Sequence, residues 1–317
     1  MKDLFKETVA FRIISEDKRH GKLSHCYLLC VEDGELLDEY LKQAAKLIAC
    51  GDESYCGNCR VCRLIDADMH PDVTFYPKEK KLSVADADDL VAQSVVRPLE
   101  LDKRIFAVSR PETLNQNQNK LLKTVEEPPK NVYILLGAEK ASAILPTIRS
   151  RAKTIFVPNF TTEELLDAAR ESFPDRELAA ISALVSGGKF GALKKRYADE
   201  NTRLLFDAAA DYIANASSAK DMPRYVSALS SFSDEDILTF FKVIVNEITR
   251  VKCGNKSIIA DPRIQTCAND YPFGALIAIS ERLIKLEKHA YFNGNATMIK
   301  DAAMFAVLEE KAKWRRL

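Results

Sequence analysis

The chain has 317 residues, 47% of them hydrophobic, and its 46 Lys and Arg are balanced by 46 Asp and Glu. That is enough apolar material for two or three domains, while zero net charge argues against a free-standing nucleic-acid binder, which carries a basic excess. No apolar run is long enough to span a bilayer, and the mixed charges of residues 1–7 lack the apolar centre of a signal peptide, so a cytoplasmic chain is expected.

Residues 25–31 read as a buried strand. They are followed by a helix over 36–49 that places Leu37, Leu41, Ala44, Ala45 and Ile48 on one face. Immediately after it come Cys50, Cys56, Cys59 and Cys62. Thiolates at this spacing converge on one tetrahedral Zn²⁺, and four ligands leave no open position, so the expected site is structural. An iron–sulfur centre is the other reading of the cluster; a disulfide pair does not suit a reducing compartment. Cys26, Cys30, Cys253 and Cys267 are expected to be buried small hydrophobes.

Further along, strands are expected over 73–76, 104–109, 132–136 and 154–157. Helices are expected over 84–95 and over 117–127, the latter stopped by Pro128-Pro129. Continuous apolar strands alternating with helices predict a parallel sheet covered on both faces. After Pro158 no strand candidate remains. Thr161 and Glu164 form a capping-box start, and long amphipathic helices run from 201 onward. The expected organisation is an α/β domain over 1–159 with a cysteine module at 50–62, a small helical domain over 160–200, and a larger helical domain over 201–317.

Several segments resemble one family. They are His25-Cys26-Tyr27-Leu28-Leu29, the cysteines leading to His70-Pro71-Asp72, Leu121-Leu122-Lys123-Thr124-Val125-Glu126-Glu127-Pro128-Pro129, and Leu145-Pro146-Thr147-Ile148-Arg149-Ser150-Arg151. Together they are similar to the delta-prime and gamma/tau subunits of bacterial DNA polymerase III clamp loaders, of the AAA+ class. The resemblance implies an AAA+-like parallel-sheet domain with a zinc module, followed by a helical lid and a helical collar.

What is missing points to the non-hydrolysing type. A working phosphate loop needs Gly-x4-Gly-Lys-Ser/Thr, whose amides, ammonium and hydroxyl hold phosphates and Mg²⁺. Here residues 31–37 read Val-Glu-Asp-Gly-Glu-Leu-Leu, with no lysine and three acids that repel a polyanion. The third strand leads into Ser109-Arg110-Pro111-Glu112 rather than an acidic pair, and Gly137-Ala138 fill the polar sensor position. ATP hydrolysis by this chain is therefore not expected.

The arginine motif survives. Through the resemblance, Arg151 is expected to reach the ATP of a neighbouring subunit, with Arg149 as the alternate candidate and pairing with a surface carboxylate as the plain alternative. The implied partners are gamma/tau-type and delta subunits, with the sliding clamp and primer-template DNA inside the assembly. An active gamma/tau-type ATPase and a zinc-dependent nucleic-acid-binding regulator are the competing readings. The polar run at 115–119 is expected to be a loop and helix N-cap, 78–81 a loop, and the basic run at 311–316 a last helical turn matched to its dipole.

Overall fold

The computed structural model describes residues 4–293 and 299–314. Met1 to Asp3 of the charged start, and Arg315 and Arg316 of the basic run, lie outside the described residues. The chain divides into two compact units, one of residues 1–161 with 189–191, the other of 162–188 with 192–317.

The first unit alternates helices and strands. In chain order they are α1 (Val9–Arg19), β1 (Cys26–Val31), α2 (Leu37–Ala49), α3 (Arg60–Asp66), β2 (Val73–Tyr76), α4 (Val84–Ser94), β3 (Arg104–Ser109), α5 (Asn119–Glu126), β4 (Val132–Ala138), α6 (Pro146–Arg149) and β5 (Lys153–Val157). The strands form one five-stranded sheet in the order β2-β3-β4-β1-β5, every pair parallel. Leu28 of β1 lies opposite Leu136 on one side and Thr154 on the other, and Phe106 of β3 lies opposite Ile134. All residues of β1 and β3 are buried, as continuous apolar strands require when helices cover both faces. The expectation of a parallel α/β sheet is met strand by strand.

Local chemistry sets several boundaries. Ser83 and Asp86 exchange hydrogen bonds with each other's backbone, starting α4. The helix expected from 117 begins at Asn119, because a 3₁₀ turn over Pro111–Gln118 precedes it and Asn115 has a φ of +52°. No side chain of the 115–119 run caps that helix; Gln118 is buried and bonds elsewhere.

The second unit holds only helices among the described residues. They are α7 (Thr162–Ala169), α8 (Arg176–Val185), α9 (Phe190–Ala198), α10 (Asn201–Asn215), α11 (Met222–Leu229), α12 (Asp234–Lys252), α13 (Pro262–Asp270), α14 (Phe273–Asn293) and α15 (Ile299–Trp314). The first two residues of α9 pack with the first unit. At the core of the second unit Tyr212 stacks on Phe241, with ring centroids 5.5 Å apart, and donates to the Met304 carbonyl at 2.6 Å. Lys311 is buried and donates to the carbonyls of Ile213 (3.1 Å) and Ala214 (2.9 Å), while Tyr271 also donates to Ile213. Lysine at this position thus closes the carboxyl end of α10, a favoured place for a cation. Cys26, Cys30 and Cys267 are buried as expected, but Cys253 is exposed at the end of α12, where the polar segment 252–257 leaves nothing to cover it.

Candidate functional site

The four cysteines converge. Their sulfur atoms all lie within 4.8 Å of one another, with Cys50 Sγ 3.9 Å from Cys56 Sγ and 3.8 Å from Cys59 Sγ. A tetrahedron with zinc–sulfur bonds near 2.3 Å has edges of about 3.8 Å, so the donor set fits one tetrahedral ion. Each ligand is positioned by local backbone. Cys50 ends α2, and Cys59 stands at the N-cap of α3, where its sulfur accepts from the Cys62 amide at 3.4 Å. Cys56 Sγ accepts from the Cys59 amide at 3.3 Å. Amide donors from Asn58 and Cys59 hold the Cys56 thiol down at about 7, while burial pushes the Cys62 thiol up. The module is tied to α1: Lys18 Nζ donates to the carbonyls of Cys50 and Asp52, both at 2.6 Å, and Tyr55 meets Phe11 edge-on.

His70-Pro71-Asp72 has a structural task that the sequence did not disclose. Asp72 is fully buried at the start of β2 and accepts from three successive amides, Leu99 at 2.6 Å, Glu100 at 2.7 Å and Leu101 at 2.8 Å. Burial opposes its charge, but the three donors outweigh that cost and hold the carboxyl below its ordinary value. His70 Nδ1 in turn accepts from the Asp72 amide at 3.1 Å. Arg60 of the cysteine module pairs with Glu100 on the same loop.

The segment after β1, where a phosphate loop would sit, is wired to the protein's own side chains. Asp33 is buried and accepts from the amides of Glu35 (3.3 Å) and Gly191 (2.8 Å). Glu32 accepts from Asn159 at 3.0 Å. Arg110, with a φ of +51° at the end of β3, donates to the Gly34 carbonyl at 2.5 Å and lies 3.4 Å from Asp38 and 3.8 Å from Glu139. A cation at the end of β3 thus faces Asp38 of α2 and Glu139 after β4. Glu112, one turn on, is half-buried, and burial raises its carboxyl.

Gly137 pairs with Leu29 and Ser109 in the sheet, and a Cβ there would fall 2.9 Å from both Leu37 and Leu41 of α2. A side chain at this position would have to displace the Leu37 and Leu41 side chains of α2.

Arg151 sits in the turn between α6 and β5, with its side chain part-exposed. One terminal nitrogen lies 3.1 Å from Glu126 Oε1; the other donates to the Thr147 carbonyl at 3.1 Å and the Ser150 hydroxyl at 3.2 Å. The two motifs, more than twenty residues apart in sequence, therefore meet through this ion pair. Gln118 also links them: its amide donates to the Ala143 carbonyl (3.2 Å) and its oxygen accepts from Leu145 N–H (3.1 Å), placing the start of the arginine motif. Arg149 is less exposed than Arg151, and its buried Nε has no hydrogen-bond partner.

Five parallel strands in this order, a loop after β1 at their carboxyl ends and a four-cysteine module after α2 define an AAA+-like α/β domain. A family profile described as DNA polymerase III, delta subunit, matches residues 6–161. DNA polymerase III subunit delta' of Pseudomonas aeruginosa is 35% identical over 140 residues, 42% of this chain and 42% of its own length. DNA polymerase III subunit gamma/tau of Mycoplasma genitalium is 26% identical over 171 residues, 51% of this chain and 29% of its own. A solved gamma subunit-related protein of Thermotoga maritima is 16% identical with a TM-score of 0.44, covering 94% of this chain and 99% of its own. The chain spans less than half the length of the delta' relative it matches. Through residues 6–161 it is similar to the delta-prime subunits of DNA polymerase III.

Proposed function

We propose that the chain is a non-hydrolysing stator subunit of a bacterial sliding-clamp loader, a cytoplasmic component of the DNA polymerase III holoenzyme. The observation that carries this is the nucleotide loop itself. Asp33 already holds the Gly191 amide, and Arg110 already satisfies the Gly34 carbonyl and faces Asp38 and Glu139. A triphosphate entering there would meet carboxylates and no lysine, and the desolvated like charges would repel it. An active gamma/tau-type role requires the residues that this loop lacks.

Arg151 then acts in trans. Its partners in the chain, one carboxylate and two neutral acceptors at the surface, are weak enough to leave it available to a phosphate of a gamma/tau-type neighbour. A guanidinium there stabilises charge developing on the transferred phosphoryl. Delta subunit, sliding clamp and primer-template DNA are the other partners, met within the assembly. The helical residues 201–317 serve as its collar and 160–200 as a lid. Cys50, Cys56, Cys59 and Cys62 hold a structural Zn²⁺, which rigidifies the module against α1.

The test is clamp- and DNA-stimulated ATPase of a loader reconstituted with the wild-type chain or Arg151→Ala, with the chain alone as control. No turnover by the chain alone is expected. In the complex, Arg151→Ala should cost at least tenfold, toward the effects on the order of 10³-fold known for trans arginines. Hydrolysis by the isolated chain, or an unchanged rate in the mutant complex, would overturn the reading.

A further inference from the structure

Glu126 ends α5, where a carboxylate faces the negative end of the helix and is disfavoured. Its side chain nevertheless points at the Arg151 guanidinium, 3.1 Å away, and both groups are about two-fifths exposed. Arginine carries substantial rotamer freedom, most of which must be lost before it can bind a phosphate. Here that freedom is restricted beforehand by three acceptors: Glu126 from α5, the Thr147 carbonyl of α6 and the Ser150 hydroxyl beside Arg151. Arginine has five N–H groups, so these contacts leave donors for a further anion.

We propose that Glu126 is a positioning residue for Arg151: it orders the guanidinium at the rim of the domain so that it meets a neighbour's phosphate already oriented. This rests on the trans role of Arg151 above. Glu126 touches no nucleotide and acts only through the arginine. The charged partner matters more than the two neutral acceptors because it alone comes from outside the continuous segment 146–151 and fixes the side chain's direction. The pair is exposed enough that exchange of the carboxylate for phosphate oxygens needs no opening of the core.

Two measurements test it. In the isolated chain, the Arg151 Nε–H signal in ¹⁵N spectra should be ordered in the wild type and averaged in Glu126→Ala, with the fold unchanged by circular dichroism. In the reconstituted loader, Glu126→Ala should lower kcat three- to tenfold with little change in KM for ATP. Glu126→Gln, which keeps an acceptor, should recover part of the loss. Arg151→Ala with Glu126→Ala should be no slower than Arg151→Ala alone. An unchanged Arg151 signal, a wild-type or raised rate in Glu126→Ala, or losses that multiply in the double mutant would each overturn the positioning role while leaving the trans arginine intact. If Arg151→Ala itself is without effect, both readings fall, and that arm distinguishes the two cases.

Discussion

Asp72 shows how much one buried charge can organise. It is sealed from solvent, yet three amides of the 99–101 loop supply the hydrogen bonds that water would otherwise provide. Asp72→Asn keeps the shape but turns a donor toward those amides, so a loss of about 1–3 kcal/mol is expected in urea unfolding. The pH dependence follows from the direction of the shift. Asp72 ionises below its ordinary 3.8 in the folded chain, so the unfolded chain takes up the proton first on acidification. Its contribution should be present above about pH 4 and lost as pH falls through the folded value. Unfolding midpoints measured between pH 6 and pH 2 should fall less steeply in Asp72→Asn than in the wild type; parallel curves would exclude this role. His70-Pro71-Asp72 was legible as a motif, but nothing local revealed the donors, which lie 27 to 29 residues away.

Between elements, closeness of approach decides what chemistry is possible. β4 and α2 meet at Gly137, where Leu37 and Leu41 occupy the space a side chain would need. Gly137→Ser, which restores a polar atom to the sensor position, should therefore destabilise by about 1–3 kcal/mol through overpacking and confer no ATPase activity. Urea denaturation and a phosphate-release assay check the two halves; a stable variant would mean that α2 yields. The strands were legible because their apolar runs are short and continuous, and β2 and β3 fall on the expected residues. The start of α5 was not, because the preceding 3₁₀ turn keeps a helix-like pattern while Asn115 breaks the backbone geometry. By sequence Gln118 belongs to the polar run 115–119 that leads into the expected helix over 117–127. Its true task, bonding Ala143 and Leu145, depends on how β4 and α6 return to it.

For the molecule as a whole, two units with separate apolar cores imply separable responses. The four-cysteine cluster lies in the first. One zinc per chain is expected by elemental analysis, and Cys62→Ser should lose it, because a buried sulfur is the hardest ligand to replace. Chelation should lower the calorimetric transition of the first unit by about 2–4 °C for every kcal/mol of stability removed, and leave the helical unit's transition in place. Absence of bound metal after purification without chelator would exclude a zinc site. The four-cysteine cluster was legible, since its members lie within thirteen residues and close around one helix end.

Sequence by itself determined the parallel α/β architecture, the helical remainder, the clustering of four cysteines and the lack of a lysine in the loop after β1. These depend on periodicity, composition and spacing over a few residues, which the local backbone translates directly into structure. Tertiary structure alone decided which side chains meet. Arg110 reaches Gly34 and Asp38, more than seventy residues earlier, Asp33 holds Gly191, and Arg151 faces Glu126. A parallel sheet brings the carboxyl ends of β1 and β3 to one rim, where Arg110 meets Gly34 and Asp38, and the starts of β4 and β5 to the opposite rim, where Arg151 meets Glu126. A crossover helix separates each strand from the next, so no short window of sequence contains both partners.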